Sequence, residues 1–152
     1  MGGGMPISGV VSGPDIMGCL VKNPALGHIT TFGGHPVCCA AAYASLKVLL
    51  EEDIIPTVQE KENYIRTRLY DHPIIKEVRS AGLMMAVETT NRKYLKHVVA
   101  KSLDLGVVVD WFLFNNRSFR VAPPLVITLE ELEGACDILI EAFDYAKLQY
   151  KR

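Results

Sequence analysis

Two short segments carry side chains equipped for chemistry. The first, His28-Ile29-Thr30-Thr31-Phe32-Gly33-Gly34-His35-Pro36, sets two hydroxyls before a pair of glycines. A threonine hydroxyl beside a backbone N–H is a donor set for phosphate, and a Gly-Gly pair lets the backbone come close to a ligand. From these residues alone, a Thr-rich turn capping a helix that starts at Pro36 is the simpler account. The second segment, Phe119-Arg120-Val121-Ala122-Pro123-Pro124-Leu125, holds one arginine in an otherwise apolar run. Strand alternation sends Phe119 and Val121 to one face and Arg120 and Ala122 to the other, so the guanidinium must reach water, an acid or a ligand. Pro123-Pro124 stiffens the exit of that strand, a firm mount for a fork that binds carboxylates. A solvated edge charge is the plain alternative.

Other candidates are weaker. Gly2-Gly3-Gly4 with Gly9 is glycine-rich enough to cradle a phosphate but lacks the G-x-x-x-x-G-K-[ST] pattern. His28, His35, His72 and His97 have no ligand-like spacing, and no metal site is expected. Cys19, Cys38, Cys39 and Cys136 form no C-x-x-C pair and are expected as reduced thiols, with Cys38-Cys39 packed in an apolar helix. Met84 and Met85 are expected in strand core, one on each face. Lys22 and Lys47 are ordinary surface lysines.

Together the two segments resemble the C-terminal part of class-III pyridoxal-phosphate aminotransferases, the group of ornithine, acetylornithine and 4-aminobutyrate aminotransferases. The resemblance implies a fold-type I enzyme using pyridoxal 5'-phosphate to move an amino group between an amino acid or ω-amine and a 2-oxo acid. It implies a homodimer with shared active sites, in which Thr31, directly before the aromatic-Gly-Gly unit and beside Thr30, contacts the cofactor phosphate bound in the other subunit. It implies that Arg120 holds the substrate α-carboxylate. His35 stands where many relatives have Asn. In such enzymes the Schiff-base lysine sits just before the run that here is Gly2-Gly3-Gly4, and the aspartate facing the pyridine nitrogen and the main phosphate-binding turn also lie upstream. No catalytic residue is therefore expected within this sequence, and the chain alone is expected to be inactive. The glycine run would then serve a positional role, leading into a strand of the large domain. A catalytically inactive structural or oligomerisation fragment is the alternative, and a phosphate- or nucleotide-binding module built on the glycine run a third. The amino donor and acceptor are not fixed by these motifs.

Bulk properties narrow the setting. The chain has 152 residues, is 49% hydrophobic and carries sixteen basic against seventeen acidic side chains, a formal charge of -1. That length buries roughly 70% of the unfolded surface. The charge balance gives no field favouring nucleic acid or an anionic membrane, and neither partner is expected. The N-terminus has no basic n-region, and the longest uncharged stretch, 23–46, is interrupted by Pro24, Gly27, Gly33, Gly34 and Pro36. A transmembrane reading fails on that ground, and a cytoplasmic location is expected.

The elements that must position these residues read as an α+β chain. Ile7 to Ser12 suits a short buried strand, and Pro14 starts a short helix reaching about Leu20. Residues 23–34 should be loop. Pro36 suits a first helical position with His35 as cap, and the small apolar residues after it predict a helix covered on all sides. Asp53 can cap the next helix, with Ile54, Val58, Ile65 and Leu69 on one face and Glu60, Lys61, Arg66 and Arg68 largely elsewhere. Strands are expected at Ile75–Arg79 and Leu83–Glu88, with a bend or bulge at Ser80-Ala81-Gly82. Leu95, Val98, Val99 and Leu103 make a helical stripe stopped by Gly106. Val107–Leu113 and Ser118–Ala122 read as strands around a turn containing Asn115-Asn116. Thr128 and Glu131 form a capping box before a helix whose core face is Leu129, Leu132, Cys136, Leu139, Ile140 and Phe143. Residues 1–50 would be the tail of the large PLP-binding domain with the interdomain helix, and 51–152 the C-terminal small domain.

Overall fold

Pro36 opens the longest element of the first part of the chain. The computed structural model describes residues 1–21 and 23–150, and the chain divides into two units, Met1–Asp53 and Ile54–Arg152. The first unit contains α1 (Pro14–Gly18) and α2 (Pro36–Glu51), both with proline in the first turn, where its missing N–H costs nothing. Residues 23–34 are loop and turn. Lys22 lies outside the described residues.

Three expectations for this unit are corrected. Ile7–Ser12 is not a strand. A strand needs a neighbour to receive its N–H and C=O groups, and this unit has no second strand among its described residues; Val10 and Val11 are almost fully exposed. The short helix stops at Gly18, and residues 19–21 are turn. Finally, α2 is not covered: none of its residues is buried, and no other element of its unit packs on it. Cys39 is exposed and Cys38 half-exposed, so the pair is not core packing either.

In the second unit, α3 (Ile54–Tyr70), β1 (Ile75–Ala81), β2 (Met84–Thr89), α4 (Arg92–Asp104), β3 (Asp110–Phe112), β4 (Asn115–Val121) and α5 (Leu129–Tyr150) build an α+β layer structure. The sheet is antiparallel in the order β1-β2-β4-β3. Val78, Val87 and Phe119 stand side by side across three strands and are buried, so one face of the sheet belongs to the core. Helices α3, α4 and α5 supply the other side: Ile65, Leu69, Val98, Leu139 and Phe143 are buried in the same cluster. The Phe119 and Phe143 rings lie 5.9 Å apart and tilted, a favourable aromatic arrangement.

Thr128 and Glu131 start α5 as expected. The Thr128 N–H donates to the Glu131 carboxylate at 2.9 Å, and the Glu131 N–H donates to the Thr128 hydroxyl at 3.1 Å. The Thr128 N–H and the Thr128 hydroxyl, both donating to the carboxylate, hold the Glu131 carboxyl below the usual carboxylate range. At the start of α4, Asn91 caps through its side chain, accepting from the Lys93 N–H at 3.0 Å. Gly106, at φ 97, turns the chain after α4 in a backbone conformation that side chains resist.

The differences lie in turns and faces. The β1–β2 hairpin is tighter than expected, running to Ala81 and restarting at Met84 around Gly82 at φ 58; the irregularity in pairing sits between Ile75 and Glu77. Met85 is buried but Met84 is exposed, because only one face of this sheet meets the helices. Leu103 is exposed as well. The second hairpin turns at Leu113-Phe114, and Asn115 already belongs to β4. Asp53 sits at φ 49, whereas an N-cap residue usually has an extended backbone. Lys61 is buried, its Nζ donating to the Leu125 carbonyl at 2.6 Å. Among the described residues no helix is long and apolar enough to cross a membrane.

Candidate functional site

Thr30 and Thr31 belong to the first unit and Arg120 to the second. In the first, the loop folds through two successive turns, with the Gly33 N–H donating to the Thr30 carbonyl and the His35 N–H to the Phe32 carbonyl, both at 3.2 Å. Glycine is favoured at both positions, by space at Gly33 and by backbone conformation at Gly34. A Cβ on Gly33 would lie 2.7 Å from the Thr30 hydroxyl oxygen, and Gly34 has φ 73 with open space around it. The loop lines a cleft of ≈ 720 Å³ with Ser8, Thr31, His35 and Cys38 among its walls.

His35 precedes Pro36 at the N-cap of α2, and no side chain bonds to that helix end. The threonines therefore do not act as caps. Both are exposed, and neither hydroxyl bonds to another described residue. The arrangement presents hydroxyls and a glycine-lined backbone ahead of a helix N-terminus, where the peptide dipoles favour an anion. The glycine run does something simpler: the Met5 N–H donates to the Gly2 carbonyl at 2.9 Å in a tight turn, and a Cβ on Gly2 would collide with the Met5 oxygen at 1.8 Å.

Arg120 lies on the face of β4 opposite the buried Phe119, as alternation requires. It stands directly across from Asp110 on β3 and from Ala86 on β2. Its Nη2 donates to Asp110 Oδ2 at 2.5 Å, and both side chains are about half exposed. Just beyond the strand, Lys61 anchors the chain by its bond to the Leu125 carbonyl, so the exit after Pro123-Pro124 is tied to α3. The arginine thus sits on a fixed strand and already binds one carboxylate.

A second charged cluster lies nearby. Glu88, only 5% exposed in its side chain, meets Lys76 and Arg79 at 2.9 Å and Arg117 at 3.2 Å. Hydrogen bonds from Lys76 and Arg79 outweigh the effect of burial and hold its pKa down at about 2. Neither Glu88 nor Asp110 stands out in the sequence, because what selects them is register. Elsewhere, burial pushes the Cys136 thiol up to about 11, which suits packing rather than reactivity. Among the described residues no His, Cys, Asp and Glu side chains gather in a group able to hold a metal ion.

Residues 1–143 match the family described as aminotransferase class-III, and the chain belongs to that family. An ornithine aminotransferase from Toxoplasma gondii is 33% identical, with a TM-score of 0.71 over 91% of this chain and 33% of that one. A transaminase from directed evolution by ancestral reconstruction is 27% identical, with a TM-score of 0.73 over 88% of this chain and 32% of that one. Ornithine aminotransferase from Plasmodium yoelii is 25% identical, with a TM-score of 0.66 over 78% and 33%. The chain spans about a third of the length of these relatives. Class-III aminotransferases depend on pyridoxal phosphate (PLP), and the T. gondii enzyme, crystallized in the presence of oxidized glutathione, has partial occupancy of PLP at its active site.

The residues of the first unit fit the phosphate end of that cofactor. Two exposed hydroxyls, without partners among the described residues, stand on the wall of an open cleft and form a donor set for an anion.

Proposed function

We propose that this chain is the C-terminal portion of a PLP-dependent aminotransferase acting on an amino acid or ω-amine and a 2-oxo acid. The unit Met1–Asp53 would be the tail of the large domain with the interdomain helix, and Ile54–Arg152 the small domain. Thr31, with Thr30 beside it, contributes hydrogen bonds to the cofactor phosphate in a partner subunit. Arg120 receives the substrate carboxylate. When bound, the cofactor supplies the electron sink that weakens bonds at the amine carbon. The residues of this chain bind and orient.

The observation that carries the reading is the Arg120 guanidinium, held on a fixed strand and already pairing with a carboxylate. Its remaining N–H groups are suited to a second carboxylate. A homodimer is part of the proposal, supported by α2: Val37, Tyr43, Leu46 and Leu50 are exposed on an apolar helix that further protein would cover. On this reading the chain by itself is inactive, since transamination needs a lysine that neither Lys22 nor Lys47 matches in context. A cytoplasmic setting belongs to the same proposal and is supported by four free thiols.

The test is Arg120→Lys in the holoenzyme, which replaces the fork by a point charge. The value of kcat/KM for a carboxylate-bearing donor and for the oxo acid should fall about tenfold or more, with cofactor content near normal. A donor without an α-carboxylate should suffer much less. Unchanged carboxylate kinetics, or equal losses for every donor through unfolding, would return Arg120 to a structural role.

A further inference from the structure

Arg120 has neighbours of opposite character on its two sides. Across β3 stands Asp110, whose carboxylate takes a hydrogen bond from Nη2; across β2 stands Ala86, a single methyl. Among the described residues Nη2 is the one guanidinium nitrogen with an acceptor. Nε and Nη1 keep their N–H groups available, and the small Ala86 side chain leaves room on its side. The next residue in the same row, Arg79, is committed to Glu77 and Glu88 and does not compete for an anion at Arg120.

An arginine with several rotatable bonds on an exposed strand samples many rotamers, and a ligand that binds it must immobilise them. Anchoring one nitrogen in advance removes part of that cost while leaving donors for a second carboxylate. We propose that Asp110 is a positioning residue for substrate recognition, holding the Arg120 guanidinium by one nitrogen so that its remaining donors face the incoming carboxylate. The proposal rests on the reading of Arg120 as the carboxylate binder. It also has a definite sign. If Asp110 only competed with substrate for the arginine, removing it would tighten binding.

The experiment uses the holoenzyme and two readouts, steady-state kinetics and calorimetric affinity for glutarate, a dicarboxylate that cannot react. Asp110→Ala should raise KM for carboxylate substrates, and Kd for glutarate, by about threefold to tenfold, the scale of one lost hydrogen bond. The kcat should stay within about twofold, and KM for an amine lacking a carboxylate should not move. Asp110→Asn, whose amide oxygen still accepts from Nη2, should recover most of the affinity. Should Asp110→Ala not fold, Asp110→Ser replaces it with the same expected direction. Unchanged or tighter glutarate binding in the Ala or Ser variant overturns the proposal, as does an equal rise in KM for all donors. Arg120→Lys separates the two readings: if it weakens glutarate binding while the Asp110 variants do not, only the positioning role fails. If Arg120→Lys leaves glutarate affinity intact, the carboxylate reading itself fails.

Discussion

The Glu88 carboxylate accepts a 2.9 Å hydrogen bond from the Arg79 guanidinium on the neighbouring strand while withdrawn almost completely from solvent. Lys76 on β1 and Arg117 on β4 meet the same carboxylate, so one acid links three strands on the side of the sheet's charged residues. A buried acid with three cations is costly to protonate and costly to remove.

That arrangement sets a pH dependence. The pKa of Glu88 in the folded chain, about 2, lies below its ordinary value of 4.5. The unfolded state therefore binds the proton more readily. The stabilisation is fully present above the ordinary value and is lost as pH falls towards about 2. Urea unfolding of the chain at successive pH values should show stability declining across that window. Glu88→Gln should be less stable at neutral pH, with a shallower decline and convergence on the parent near the acid end. Equal slopes for the two proteins would show that other carboxylates govern the acid response.

At α5 the relevant pair is Thr128 and Glu131. Because the box is reciprocal, Thr128→Ala removes the acceptor for the Glu131 N–H and also the hydroxyl that bonds the Glu131 carboxylate. Stability should drop by about 0.5–2 kcal/mol, the range for losing a Ser or Thr cap. Thr128→Ser should cost far less. Equal losses for the two variants, measured by denaturant midpoint, would point to the threonine methyl group rather than the cap.

The box was legible because its signal is local: two residue types three positions apart, followed by apolar residues at helical spacing. The same holds for α3, for α4 and for most of the α5 core face: Leu132, Cys136, Leu139 and Phe143 are buried and Ile140 packs against them, whereas Leu129, in the first turn, is exposed. Pairing was harder. Centring the second hairpin on Asn115-Asn116 would place Asp110 opposite Val121, on the core-facing side; the actual turn at Leu113-Phe114 and the irregularity after Trp111 place it opposite Arg120. A slip of one residue changes the face of every side chain in a strand, so the partner of Arg120 was hidden although Arg120 was not. Within this chain α2 is uncovered and Ile7–Ser12 unpaired for a related reason. Both depend on neighbours distant in sequence, and an apolar composition states what a segment tolerates, not what lies beside it. Thr30 and Thr31 stand out by residue type, while the closeness of the Thr30 hydroxyl to the space beside Gly33 emerges only in the folded loop.

Thr31 carries the remaining prediction, which concerns both strength and location. Its hydroxyl is exposed, makes no bond to a described residue and stands before Phe32-Gly33-Gly34 on the wall of the cleft. In the holoenzyme, Thr31→Ala should weaken cofactor retention by roughly 1 to 3 kcal/mol, the range for a hydrogen bond to a charged group. Affinity for glutarate, governed by Arg120, should stay near the parent value. Location follows from mixed dimers in which one subunit carries Thr31→Ala and the other lacks the cofactor-binding lysine. If Thr31 reaches the partner's cofactor, both lesions fall in one site and the other site is intact, so about half of the dimer's activity survives. If Thr31 serves its own subunit, each site carries one lesion. The site lacking its lysine is then dead, and the other is limited by weak cofactor binding that added PLP relieves. Activity near half without added cofactor supports the crossed arrangement; activity that appears only as PLP is raised refutes it.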